Sequence, residues 1–180
     1  GETKARVAQL TTLNRVGQRL AMAPALPQVF DVVKEEILDL IEVTGLCVYL
    51  LDETTGAIMS AYRFDGAASD QGAAKLAPDA RADRLSEAVL RLRQPVVINA
   101  HKGRPEDAAL LTLLPASLTF AWVGFPLIVS NQAIGVLALE HEQNVAAFLP
   151  DEVDLLATIA NSFAVAVNNQ QQLERITQAL

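Results

Sequence analysis

The chain has 180 residues, 51% apolar and 19% charged, with a formal net charge of −7, a globular composition at a length that suits one domain with extensions. The acidic balance, with no basic run, argues against nucleic acid or anionic lipid as a partner. The single cysteine, Cys47, excludes an internal disulfide framework or a cysteine-based zinc site and fits a reducing, cytoplasmic compartment. No apolar run reaches about 18 residues, so neither a membrane span nor a signal peptide is expected.

Residues 2–21 read as a helix whose narrow stripe is Val7, Leu10, Leu13, Val16 or Gly17, and Leu20. Pro24 and Pro27 break it, and Pro27 suits the first turn of a second helix running to about Val43, with Gly45 as its left-handed stop. Leu46–Leu51 reads as a strand apolar on both faces, DETTG (52–56) as a turn, and Ala57–Phe64 as a second strand. Its alternation puts Ile58, Ser60, Tyr62 and Phe64 on one side. Asp65–Ala80 has no periodicity and reads as a long loop. Asp83 is placed to cap a helix to about Arg93; Val96–Asn99 follows as a short strand, and Pro105-Glu106-Asp107 opens a short helix.

Phe120–Glu140 then reads as two apolar strands joined at Ser130-Asn131, covered on both faces. A last helix starts near Phe148 and carries Leu156, Ile159, Phe163, Ala166, Gln170 and Leu173 at heptad-like spacing. Terminal helices around strands joined by hairpins or short helices predict α+β with an antiparallel sheet.

In these stretches the chain resembles a GAF domain: CVYLLDETTG (47–56), FDG (64–66), LSEAVLRLRQPVVIN (85–99), VGFPLIVSNQAIGVLALE (123–140) and FLPDEVDLLATIANSFAVAVNNQQQL (148–173). The resemblance implies a GAF/PAS-like six-stranded antiparallel sheet, with terminal helices on one face and a ligand pocket on the other. It also implies parallel homodimerisation through those helices. The division that follows is 1–22 as an N-terminal signalling helix, 23–168 as the GAF domain, and 169–180 as a C-terminal linker helix. The function implied is small-molecule sensing, relayed through the terminal helices to an output domain. The alternative is a ligand-free dimerisation scaffold whose pocket is filled by its own side chains.

The chain departs from several ligand-binding branches of that family. Cyclic nucleotide is unsupported, because no Asn-Lys pair is present and Phe148 precedes Asp151-Glu152 by one residue too few. Bilin is disfavoured because Cys47 precedes Val48 rather than a histidine. A thiol-exchange enzyme needs more than one cysteine. No nucleophile–base constellation, phosphate loop or metal cluster is visible, so the chain reads as a regulatory domain and not an enzyme.

Tyr62, Phe64 and Asp65 correspond to a segment that approaches the ligand in nucleotide-binding relatives; the alternative is a surface turn. Asn99 and His101 fall at an expected pocket mouth, against a solvent-exposed loop as the plainer reading. His101 is the better of two candidate haem ligands, but a lone histidine does not support haem; His141, between two glutamates, reads as solvated. Phe120 and Trp122 share a strand face and line either the pocket or the core, while Cys47 and Tyr49 share another. Tyr49 is grouped with the ligand-binding candidates and Cys47 with inert packing. The dimerisation candidates are Leu10, Leu13, Leu20, Ile159, Phe163 and Leu173.

Overall fold

A computed structural model of the chain describes residues 2–64, 80–99, 121–141 and 148–179. Within them lie α1 (Glu2–Met22), α2 (Leu26–Leu40), β1 (Gly45–Leu51), β2 (Ile58–Phe64), α3 (Ala80–Leu92), β3 (Val96–Asn99), β4 (Ala121–Val129), β5 (Gln132–His141) and α4 (Pro150–Ala179). The strands form one antiparallel sheet in the order β2-β1-β5-β4-β3. This is the expected α+β architecture, with five strands among the described residues. The loop expected at 65–80, apart from Ala80, and the short helix expected from Pro105 lie outside them.

The central hairpin forms where the turn chemistry put it. Val129 pairs with Gln132, and Ser130 and Asn131 between them take φ of 50° and 66°. Two left-handed residues give a turn whose twist matches that of the flanking strands. Arg93, at φ 55° just past α3, donates from Nη2 to the Asn131 carbonyl (2.8 Å) and to Asn131 Oδ1 (3.0 Å). That ties the end of α3 to the hairpin tip. At the other hairpin, Asp52 Oδ1 accepts the amides of Thr54 (2.8 Å) and Thr55 (3.2 Å), and Gly56 supplies a φ of 72°.

The two faces of the sheet have different covers. Leu46, Val48, Tyr62, Val123, Phe125, Leu137 and Leu139 share one core with α2 and α4, and α1 joins it by packing on those two helices. Phe30 of α2 stands 5.4 Å from the Tyr62 ring and 6.0 Å from that of Phe163. On the opposite face Cys47, Tyr49, Val96, Ile98, Trp122 and Val136 pack with Leu85 and Val89 of α3. At about 1.5–3 kcal/mol for each large apolar side chain buried, the first layer dominates stability.

α1 and α4 run parallel. Gln9 and Leu13 of α1 face Asp154, Leu155 and Thr158 near the start of α4. Farther along, Gln170 Nε2 donates to the Ala23 carbonyl at 3.0 Å. The last turns of α4 reach the β1–β2 turn, where Arg175 pairs with Glu53.

Several sequence expectations are corrected. α2 ends at Leu40 with Ile41 in an extended conformation, and Gly45 opens β1 instead of capping the helix. A Cβ on Gly45 would lie 2.4 Å from Glu140 Oε1, so glycine serves close side-chain approach there. Asp83 lies inside α3, which starts at Ala80, and is no N-cap. His141, expected in solvent, is buried.

The strict alternation of β2 fails at Ala61. Val48 pairs with Tyr62 while Tyr49 pairs with Ser60, so one extra residue enters β2. Ile58 therefore packs on the α3 side and Tyr62 on the side of the terminal helices. Of the dimerisation candidates, Leu20, Ile159 and Phe163 are buried in this chain's own core and Leu13 is half-buried. They are taken up by packing within the chain. Leu10 (66% exposed) and Leu173 (55%) stand in solvent.

Candidate functional site

The α3-side face of the sheet carries rows of small residues flanked by large ones. Strand pairing sets Arg63, Cys47, Ala138, Gly124 and Val96 side by side in one row, and Gly45, Glu140, Trp122 and Ile98 in the next. The absence of side chains at Gly45 and Gly124 is used. Glu140 lies over Gly45, and the Trp122 indole lies over Gly124, with Val89 of α3 closing from above.

The result is a narrow cleft whose lining includes Gly45, Cys47, Tyr49, Arg63, Trp122 and Glu140. The described residues enclose about 20 Å³, room for roughly one water molecule. Its chemistry is mixed: an indole, a phenol, a thiol, a guanidinium and a carboxylate around an apolar floor. Burial pushes the Tyr49 phenol up, and Cys47, within hydrogen-bonding reach, pushes it further. Arg63 acts in the opposite direction and Glu140 in the same one. Tyr49 is thus a neutral hydroxyl, able to donate one hydrogen bond and to accept others.

Tyr49 and Trp122 are brought together here, as the sequence grouped them. Tyr62 and Phe64 are on the opposite face; Tyr62 stacks near Phe30, and Lys34 Nζ stands 5.5 Å over the Phe64 ring. The extra residue at Ala61 is the cause. Asn99 ends β3, opposite Ala121. Asp65, His101 and Phe120 lie outside the described residues. Sequence reasoning missed Arg63, Glu140, Gly45 and the participation of Cys47. Each strand alone offered little signal, since Arg63 and Glu140 are the second-last residues of IMSAYRF and QAIGVLALEH, where a charge is ordinary.

A second polar cluster also escaped the sequence reading. Glu36 occupies the apolar stripe of α2 between Val33 and Ile37 and is 3% exposed. Its Oε2 accepts Arg15 Nη2 at 2.7 Å and its Oε1 accepts Arg19 Nη1 at 2.6 Å. Arg19 Nη2 also donates to Glu35 Oε2 at 2.6 Å. Burial alone would raise the Glu36 carboxyl; the bonds and charges of the two arginines outweigh it and hold the carboxyl below the usual range.

An antiparallel sheet in 2-1-5-4-3 order, with the terminal helices on one face and a small cleft under a shorter helix on the other, defines a layered α+β domain. The sequence model of the GAF domain family matches residues 25–167, and the chain belongs to that family. α1 and the last turns of α4 lie outside the matched segment.

Among solved structures, the GAF domain of an Acinetobacter phosphoenolpyruvate-protein phosphotransferase aligns at 17% identity and a TM-score of 0.70, covering 93% of this chain and 98% of that one. The GAF-B domain of DevS from Mycobacterium smegmatis aligns at 20% identity and 0.61, covering 84% and 99%. The GAF domain of a two-component sensor histidine kinase from Bacillus halodurans aligns at 15% and 0.61, covering 83% and 98%. At such identities the shared property is the fold. Comparison with curated proteins returned no match. Among the described residues, no helix is long and apolar enough to cross a membrane.

Proposed function

We propose that this GAF domain is a cytoplasmic sensory and regulatory module that binds a small molecule on the α3-side face. Binding there biases β1 and the central hairpin, and α4 carries the bias to an output domain. The observation that carries this reading is the cleft itself. Tyr49, Arg63, Trp122 and Glu140 converge over a floor kept low by Gly45 and Ala138, on the face turned away from α1 and α4. The reading involves no catalytic step.

The module works as a homodimer in this proposal. Its contacts are the solvent-facing apolar positions of the terminal helices, Val7 and Leu10 on α1 and Leu173 and Ile176 on α4. A second reading, a ligand-free scaffold, is favoured by one specific feature. The described part of the cleft has room for about one water, with Trp122 folded onto Gly124 and Val89.

Thermal melts against nucleotides, haem, small organic acids and inorganic anions separate the two readings, because binding to the native state raises its melting point. A compound that raises the melting point and shifts the emission of Trp122, the chain's single tryptophan, supports sensing at this face. A panel without any shift leaves the scaffold as the better account.

A further inference from the structure

α1 lies outside the matched family segment, yet it is seated on the domain. Its apolar hold is short: Val16 and Leu20 are buried and Leu13 is half-buried, while Val7 and Leu10 stand in solvent. Such a narrow stripe selects one angular setting of the helix only weakly. Gly17, beside Val16, adds nothing; no atom lies within 4 Å of where its Cβ would be.

Charge supplies the missing selection. Arg15 and Arg19 are one helical turn apart and project from the same side of α1. Each takes one oxygen of Glu36, and Arg19 reaches Glu35 as well. The arrangement is asymmetric. The arginines are 52% and 40% exposed, so they return to water readily when α1 leaves. Glu36 is rooted in the apolar stripe of α2, and a buried carboxylate stripped of its cations is costly. The two helices are joined by the short Ala23-Pro24-Ala25 connection, where the helical backbone is interrupted.

We infer that Glu36 makes the seating of α1 a separate, charge-keyed step: α1 docks on and leaves the folded domain as a unit, with Arg15 and Arg19 as the key. The helix that reads the key also touches both of the other layers, since Phe30 of α2 packs on Tyr62 of β2 and on Phe163 of α4. A change in α1 seating is therefore felt by the sheet and the C-terminal helix. The device belongs to the fold and stands whether or not the cleft takes a ligand.

Hydrogen exchange read by mass spectrometry on the 180-residue chain tests it, comparing α1 peptides with those of β5 in low salt and in about 1 M sodium chloride, where the Debye length falls to about 3 Å and the attraction of the half-exposed arginines for the carboxylates is weakened. In the parent protein α1 exchanges faster than β5, and salt speeds α1 alone. The double variant Arg15→Gln/Arg19→Gln speeds α1 exchange by about tenfold or more, abolishes the salt effect and leaves β5 unchanged. Glu36→Leu, which completes the apolar stripe, abolishes the salt effect without that acceleration. Exchange of α1 in step with β5 in all three proteins overturns the inference. So does a salt effect that survives in the double variant, or loss of β5 protection in it, since each makes α1 an inseparable part of one cooperative unit.

Discussion

Gly124→Ala is the sharpest test of how the cleft is built. The added Cβ would stand 2.3 Å from Trp122 Cη2, 2.9 Å from Cζ3 and 2.8 Å from Val89 Cγ2. Trp122 is 6% exposed and Val89 fully buried, so neither has free space to retreat into. Overpacking of this kind costs about 1–3 kcal/mol. For a chain of this length that is about 2–12 °C in melting temperature. The indole must swing off the floor, so the emission of the single tryptophan moves toward that of a more solvated ring. Trp122→Phe removes the two ring atoms nearest the new methyl group; the double variant therefore loses less than the sum of the singles. Gly135→Ala is the control: its Cβ would lie 2.2 Å from the backbone carbonyl of Tyr49, and only separation of β1 from β5 relieves that contact. It destabilises more than Gly124→Ala and leaves the environment of Trp122 less changed relative to the stability lost. A Gly124→Ala protein with parent melting temperature and emission, or strict additivity with Trp122→Phe, would refute the packing described here.

Two further outcomes follow from the terminal helices. The folded-state carboxyl of Glu36 is held below its unfolded value of about 4.3, so the stability it contributes is complete above that pH and is lost as pH falls through the folded value. The melting temperature of Glu36→Gln therefore falls less steeply than that of the parent between about pH 5 and pH 3; parallel curves would remove the Arg15–Glu36–Arg19 cluster from the acid response. For assembly, Leu10→Glu or Leu173→Glu lowers the mass seen by light scattering while the melt is kept. Phe163→Glu, a charge in the core, instead unfolds the chain. Unchanged mass in both surface variants would exclude these helix faces as the dimer contact.

What could be read from the sequence was what local chemistry decides. Ser130-Asn131 between two β-branched runs specifies a two-residue turn wherever the strands go, and DETTG specifies its own hydrogen bonds through Asp52. The heptad-like stripe of α4 was equally readable, since Leu156, Ile159, Phe163 and Ala166 all face the core. Its role was not: apolar residues at that spacing suit a partner helix or a sheet, and here the sheet takes the buried half. The extra residue at Ala61 was hidden because a bulge is a property of two strands in register, not of one strand's pattern. It reversed the assignment of Tyr62 and moved an expected pocket residue into the core.

The same distinction separates the two polar clusters from the motifs that were found. Arg63 and Glu140 are unremarkable charges near strand ends until the order β2-β1-β5-β4 brings both strands beside Cys47 and Gly45. Glu36 did carry a local signal, since it falls three residues after Val33 and seven after Val29, inside an apolar stripe. A carboxylate there demands a cation, but nothing in α2 names it. Arg15 and Arg19, one turn apart on the preceding helix, are the arrangement that fits, because a helical hairpin brings α1 alongside α2. A charge at a core position of one helix, read together with paired opposite charges on its neighbour, thus locates helix contacts that apolar periodicity leaves open. In this chain it locates the contact through which the segment outside the matched domain is joined to it.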